Sequence, residues 1–303
     1  MITRREFSTL TLASLAFPRL AAAAIDSRVA GVRVGVQTYS FRELPRPAGS
    51  DAVDAIIAAM TTCGLVECEV WAPQIEPQQP SGRGRPPAEV QKSRDDLRTW
   101  RLDTPLDHFR AIRKKFDAAG ILIYAYNYSP NASYVDEEID RGFEMAGALG
   151  AEIITASTTI EVAKRIAPIA EKHKMIVAMH GHSNTSAPGE FASPDSFAEA
   201  MKMSTYFKVN LDIGHFTAAN FDAVQYIREH HEQNTNLHIK DRKRNQGDNV
   251  PWGTGDTPIR EVLQLLKRER WPIRAYIEYE HRGAGTPTEE VKACYAVLKQ
   301  ALS

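Results

Sequence analysis

Eight short runs of β-branched and aromatic residues alternate along this chain with amphipathic stretches of helical period, and that alternation leaves few folds open. The runs fall at 32–40, 65–71, 122–128, 152–156, 175–180, 208–212, 236–240 and 275–279. Between them, residues 52–62, 105–119, 136–149, 160–173, 194–203, 221–230 and 258–269 place apolar side chains three and four apart, the spacing of one helix face. Strand, helix and strand in repeated succession predict parallel pairing, because a parallel neighbour needs a crossover long enough to hold a helix. Eight such units in a chain of 303 residues match a single α/β domain, a (β/α)8 or TIM barrel, which takes about 250 residues. Local signals agree. Gly64, Gly120 and Gly150 follow three of the helical stretches as left-handed C-caps do, and Thr104, Ser193 and Thr257 each precede a proline, the pattern of an N-cap before the first turn.

Two segments break the rhythm. Residues 1–24 hold Thr3-Arg4-Arg5-Glu6-Phe7, the apolar STLTLASLAF and a run of alanines, and they read as a twin-arginine export signal cleaved near Ala23 or Ala24. Its apolar stretch is too short to span a bilayer, so we expect no stable membrane anchor and a mature barrel over 25–303, periplasmic or secreted. Residues 72–100 are rich in Pro, Gly, Arg and Gln, with SGRGRPP at their middle. They read as a long loop after the second strand, placed to overhang the barrel mouth as a lid.

Four predicted strands end on an imidazole or a carboxylate: His180 in MIVAMHGHSN, Asp212 in FKVNLDIGHF, His238 in TNLHIKDR and Glu278 in RAYIEYEH. One strand-plus-helix length separates successive members, so a parallel barrel brings them together at its C-terminal mouth. Two imidazoles and two carboxylates form a constellation for one divalent metal ion, and they suit Mn, Co, Zn or Fe better than the harder Ca or Mg. The formal net charge is -1 and there is no basic stripe interleaved with aromatics, which argues against a nucleic-acid partner and for a small-molecule one. Cys63, Cys68 and Cys294 are odd in number and lack CxxC spacing, so they read as core residues rather than as a disulfide or thiolate metal site. Oligomeric state is not legible, and a homo-oligomer stays open.

VNLDIGH (209–215), LHIKD (237–241), GTGD (253–256) and IEYE (277–280) together resemble the xylose-isomerase-like TIM barrels, which include sugar-phosphate isomerases and epimerases, hydroxypyruvate isomerase, inosose dehydratase and endonuclease IV. The resemblance covers essentially the whole mature chain. It implies a carbohydrate substrate and one metal held by Glu, Asp, His and Glu at the ends of strands five to eight. Asp212, His238 and Glu278 take three of those places, and His180 stands where the family has its first glutamate. MHGHS is similar to the HNH pattern of an exported branch, so His180 or His182 faces the metal, with the strand end favouring His180.

Paired glutamates in family epimerases take and give protons on opposite faces of the carbon beside a carbonyl. A histidine in place of one of them favours a single-base isomerase, or a lyase, over a two-base epimerase. Glu69, in VECEVW, and Glu278 are the candidate bases. Lys240 is the candidate oxyanion partner, His215 of the family's DxxH pattern binds substrate hydroxyls or serves as acid, and Asp241 orients His238. Gln37, Tyr39 and Trp71, with His182, would wall a sugar ring. Arg242, Lys243 and Arg244 read as a solvated basic loop.

The expectation is therefore a metal-dependent isomerase or epimerase for a non-phosphorylated keto-sugar or hydroxycarbonyl. A lyase or hydratase that β-eliminates from 3-keto-glycosides is the alternative, and a non-catalytic sugar-binding barrel the third. An endonuclease-IV-like centre would need further His and acidic ligands at strands two and three, and strand three ends in YAYNYS.

Overall fold

A computed structural model describes residues 26–47, 49–80 and 83–303; the expected export signal over 1–24 lies outside the described residues. The elements run β1 (Val34–Gln37), α1 (Val53–Cys63), β2 (Glu67–Trp71), α2 (Pro87–Asp103), α3 (Leu106–Ala118), β3 (Leu122–Asn127), α4 (Asp136–Leu149), β4 (Ile153–Ala156), α5 (Ile160–His173) and β5 (Ile176–His180). They continue with α6 (Pro194–Met201), β6 (Phe207–Asp212), α7 (Ile213–Ala218), α8 (Ala223–His230), β7 (Asn234–Ile239), α9 (Ile259–Glu269), β8 (Arg274–Ile277) and α10 (Pro287–Leu302). Neighbours in sequence pair in parallel from β1 to β8, and β8 closes on β1 with Val34 opposite Ala275 and Val36 opposite Ile277. The eight-stranded (β/α)8 barrel is thus the observed fold.

Strand residues that face the helices, such as Val36, Val70, Ile154, Val177, Leu211 and Leu237, are almost wholly buried and form the main apolar layer. The barrel's interior is different. Its N-terminal floor packs Tyr124, Ala125, Ile153, Ala178 and Tyr276, with the Arg274 guanidinium 3.3 Å from the centre of the Tyr124 ring. Glu67 ties that floor together, accepting from Arg33 at 2.6 Å, Arg274 at 3.1 Å and the Tyr276 hydroxyl at 3.3 Å. Gly35 is required here: a Cβ at that position would meet Tyr276 Cε1 at 2.4 Å and the Glu67 carbonyl at 2.7 Å.

Gly64 and Gly150 are left-handed C-caps, and Gly120 is left-handed one residue beyond the cap of α3. Ser193 closes a capping box with Ser196 at the start of α6. Thr104 and Thr257 do not cap, because α3 and α9 begin one residue later, with Pro105 and Pro258 in the cap position.

Residues 72–100 depart most from the sequence reading. Their second half is α2, a helix lying beside α4 whose buried residue is Arg101. The Arg101 guanidinium bridges Glu76 at 2.6 Å and Glu138 at 2.6 Å, all three side chains being nearly inaccessible. That ion triad fastens the segment to the side of the barrel.

Candidate metal centre

Strands β5 to β8 deliver His180, Asp212, His238 and Glu278 to one point at the C-terminal mouth, and all four are buried. One ligand atom each from His180, Asp212 and His238 lie within 4.8 Å of one another. His238 Nδ1 is 3.3 Å from Glu278 Oε2 and 4.0 Å from Asp212 Oδ2. Those same three atoms, His238 Nδ1, Asp212 Oδ2 and Glu278 Oε2, are buried without a hydrogen-bond partner. An unsatisfied buried polar atom costs about 1–3 kcal/mol, more when charged, so three converging on one point need a reason. A divalent cation supplies one, and the donor chemistry fits it.

Lys240, just past β7, brings its ammonium to 3.0 Å from Asp212 Oδ2 and 2.7 Å from Glu278 Oε2, outside hydrogen-bond angles to either, and it donates to Glu280 Oε2 at 2.6 Å. The local charges follow from this crowding. Burial, reinforced by His238 and His182, holds His180 well below its ordinary value, so its imidazole is neutral and offers a lone pair. Burial also acts on Glu278 but Lys240 and His238 outweigh it and keep the carboxyl ionised. Asp212 is pushed up to about 7, chiefly by burial, with Lys240 pulling the other way. His238 is drawn well above its ordinary value because Glu69 and Glu278 overcome its burial.

Directly below lies Glu69, the residue whose placement differs most from expectation. Its Oε1 accepts from Gln37 at 2.6 Å, Thr155 at 2.6 Å and Asn127 at 3.1 Å. Its Oε2 accepts from His238 Nε2 at 2.9 Å, Asn236 at 2.9 Å and Asn210 at 3.0 Å. Six donors leave this fully buried carboxylate no free lone pair for a substrate proton. With Nε2–H donated to Glu69, His238 turns its Nδ1 toward Asp212 and Glu278, where a bound cation would take the place of the proton that the neighbouring carboxylates favour. Asn210 also holds His180 Nδ1 through its own carbonyl oxygen, at 3.2 Å.

The mouth is a cavity of about 170 Å³ whose lining includes Gln37, Tyr39, Trp71, His180, His182, His215, His238, Lys240 and Glu278. Tyr39 and Trp71 meet edge to face at 4.9 Å. His215 is fixed from three sides: its backbone N–H donates to Asp212 Oδ1 at 2.7 Å, its Nδ1 accepts from Arg242 at 2.6 Å, and its Nε2 lies 3.2 Å from the Lys240 ammonium. Burial and Lys240 keep it neutral. His182 forms a second imidazole group with His180 and His215, apart from Asp212 and His238, and its Nδ1 lies 3.2 Å from Glu190. Arg242 takes the Nδ1 lone pair of neutral His215 and leaves its proton on Nε2, so that second group is a poor metal site.

Three placements were not read from sequence. Glu280 lines the pocket beside Lys240, although strand alternation from Glu278 would have found it. Arg242 is buried rather than solvated, holding Gly247 O, Ser183 and His215. Asp241 accepts backbone N–H groups of Gly253 and Gly255 at 2.8 Å and of Thr257 at 3.2 Å, so it shapes the 253–257 loop and does not orient His238.

The profile of one protein family, xylose isomerase-like TIM barrel, matches residues 89–301, well over half of the chain. A sugar phosphate isomerase/epimerase from Parabacteroides distasonis superposes with a TM-score of 0.60 at 17% identity, covering 89% of this chain and 96% of its own. The probable 3-DHS dehydratase AsbF, involved in petrobactin synthesis in Bacillus anthracis, gives 0.62 at 16% identity, covering 88% and 98%. A xylose isomerase domain protein from Planctomyces limnophilus gives 0.59 at 14%, covering 90% and 96%. At these identities the likeness is one of fold. Comparison with curated protein sequences finds no match.

Proposed function

This chain belongs to the xylose isomerase-like TIM barrels, and from that premise we propose that it is a metal-dependent isomerase or epimerase that moves a proton beside the carbonyl of a non-phosphorylated keto-sugar or hydroxycarbonyl. What carries the proposal is the convergence of His238 Nδ1, Asp212 Oδ2 and Glu278 Oε2, buried without hydrogen-bond partners, next to neutral His180. A Mn, Co, Zn or Fe ion held by those four side chains would draw electron density from the substrate's carbonyl and hydroxyl oxygens and lower the cost of charge developing there.

The remaining roles fall to the chain's own groups. Glu280 opens onto the pocket and stands outside the ligand set, so it takes the proton, while Glu69 serves to hold His238. The Lys240 ammonium, beside Glu280, stabilises negative charge on the substrate oxygen nearest it. Neutral His215, accepting from Arg242 at Nδ1, presents Nε2–H to a substrate hydroxyl. Tyr39 and Trp71 supply an apolar wall for a sugar ring.

Glu278 and Glu280 both come from the β8 side, and β5 contributes His180 instead of a facing carboxylate. One-sided proton transfer suits isomerisation. It equally suits β-elimination from a 3-keto-glycoside, our second reading, in which one proton is taken and the β-oxygen leaves. Export by the twin-arginine route, read from residues 1–24, accompanies the proposal and is why the substrate is taken as non-phosphorylated.

Metal-reconstituted protein incubated with free keto-sugars in deuterated water should place one deuteron beside the carbonyl, read by NMR. Glu280→Gln should slow that exchange about 100-fold or more with metal content unchanged. Absence of exchange from every keto-sugar by the metal-loaded wild type would defeat the proposal.

A further inference from the structure

A second compartment adjoins the metal-centre pocket. It is a cavity of about 250 Å³ between residues 130–131, 157–159 and 187–190, and it shares Ser157 and His182 with the pocket over the metal-ligand group. The two are therefore one cleft with a polar inner end and an outer end faced by Pro130, Ala187 and Pro188.

Size bears on what fills it. The inner cavity, at about 170 Å³, falls short of the ~300–1,000 Å³ usual for small-molecule sites, and the two together reach that range. The outer wall is also built rather than loose. Thr159 and Glu190 form an antiparallel bridge, Ile160 N donates to Gly189 O at 2.7 Å, and His182 N donates to Phe191 O at 2.9 Å. The loop from β5 to α6 is thus pinned against the start of α5, and the outer compartment exists before any ligand arrives.

Its chemistry selects a class of occupant. Prolines and an alanine offer apolar faces, the hydroxyl of Ser157 offers a polar contact, and the charged residue in its lining is Glu190, with no Lys or Arg among the described lining residues. Such a wall suits a neutral ring and disfavours an anionic group.

We propose that the substrate is a glycoside: a sugar seated at the metal-ligand group, with a neutral ring O-linked to it and lodged in the outer compartment. This rests on the carbohydrate reading above and specifies its substrate class. The linked ring is a second sugar or an aromatic group, since both present a flat neutral face.

The test is calorimetric binding to metal-loaded protein, comparing methyl glycosides with a disaccharide and a 4-nitrophenyl glycoside in the gluco, galacto and xylo series. In at least one series a two-ring ligand should bind tenfold or more tighter than its methyl glycoside. Ala187→Trp, which fills the outer compartment, should bring that ratio close to one when both ligands are measured on the variant. A gain for the disaccharide alone identifies a second sugar, and a gain for the nitrophenyl glycoside alone an aromatic group; either supports the inference. Methyl glycosides that bind as tightly as two-ring ligands in every series would overturn it while leaving the carbohydrate reading intact. A tenfold ratio that survives Ala187→Trp would overturn the placement, and absence of binding by every one of these glycosides would overturn the inference, while the keto-sugar reading stands or falls on the deuterium exchange described above.

Discussion

Replacing Glu69 with Gln separates a carboxylate that holds a ligand from one that takes a proton. The native carboxylate accepts six hydrogen bonds, three at each oxygen. A glutamine amide keeps one acceptor oxygen and sets its NH2 against three donors. Hydrogen bonds to a charged group contribute about 1.5–3 kcal/mol each, so losing three of them would remove a large part of the stability of a typical domain if the sites were rigid. They are not rigid, and the measured cost of breaking a buried charged pair, about 3–5 kcal/mol, is the better guide. We therefore expect urea unfolding of metal-free Glu69→Gln to show a loss of about 3–5 kcal/mol. Metal affinity should also fall about 10–100-fold, because His238 loses the partner that fixes its tautomer. A variant that unfolds within about 1 kcal/mol of wild type, binds metal equally and yet fails to exchange a substrate proton would refute this and restore Glu69 as the base.

Two further expectations concern the scaffold. Arg101→Ala leaves Glu76 and Glu138 buried without their shared cation, so it should destabilise the protein by about 3–5 kcal/mol in denaturant unfolding, and a change below about 1 kcal/mol would show the triad to be ornamental. Burial pushes the Cys63 thiol up to about 11 and the Cys294 thiol up to about 12, and Cys68 is wholly enclosed, so at pH 8 little thiolate is present. A disulfide reagent at that pH should label the native protein slowly and all three cysteines rapidly once it is unfolded.

The barrel was legible because its strands carry β-branched, aromatic and other apolar residues on the face toward the helices, and because Gly64 and Gly150 mark helix ends with the conformation they alone reach cheaply. Helix α2 was hidden: polar nearly all round, it follows a proline-rich stretch and buries a charged residue, Arg101, where an apolar stripe would have announced it. Helix α7 is six residues long, too short to show a period.

At the site, His180, Asp212, His238 and Glu278 were found because each ends a strand or just follows one, and strand ends share the barrel mouth. Glu69 illustrates what alternation omits. It states that a side chain faces the axis but not at which layer, and Glu69 belongs to the layer of Asn127, Asn210 and Asn236, below the ligands. Asp241 and Arg242 were misread because their partners are backbone N–H groups of the 253–257 loop and the His215 ring on six-residue α7, and neither segment has a periodic signature.

Elemental analysis of the purified mature protein, beside His238→Ala and Asp212→Ala variants whose folding is checked by circular dichroism, tests the central claim most directly. We predict about one transition-metal ion per chain in the wild type and almost none in either variant. A metal-free wild type after reconstitution with Mn, Co, Zn and Fe, or an ion retained by both folded variants, would contradict the metal centre.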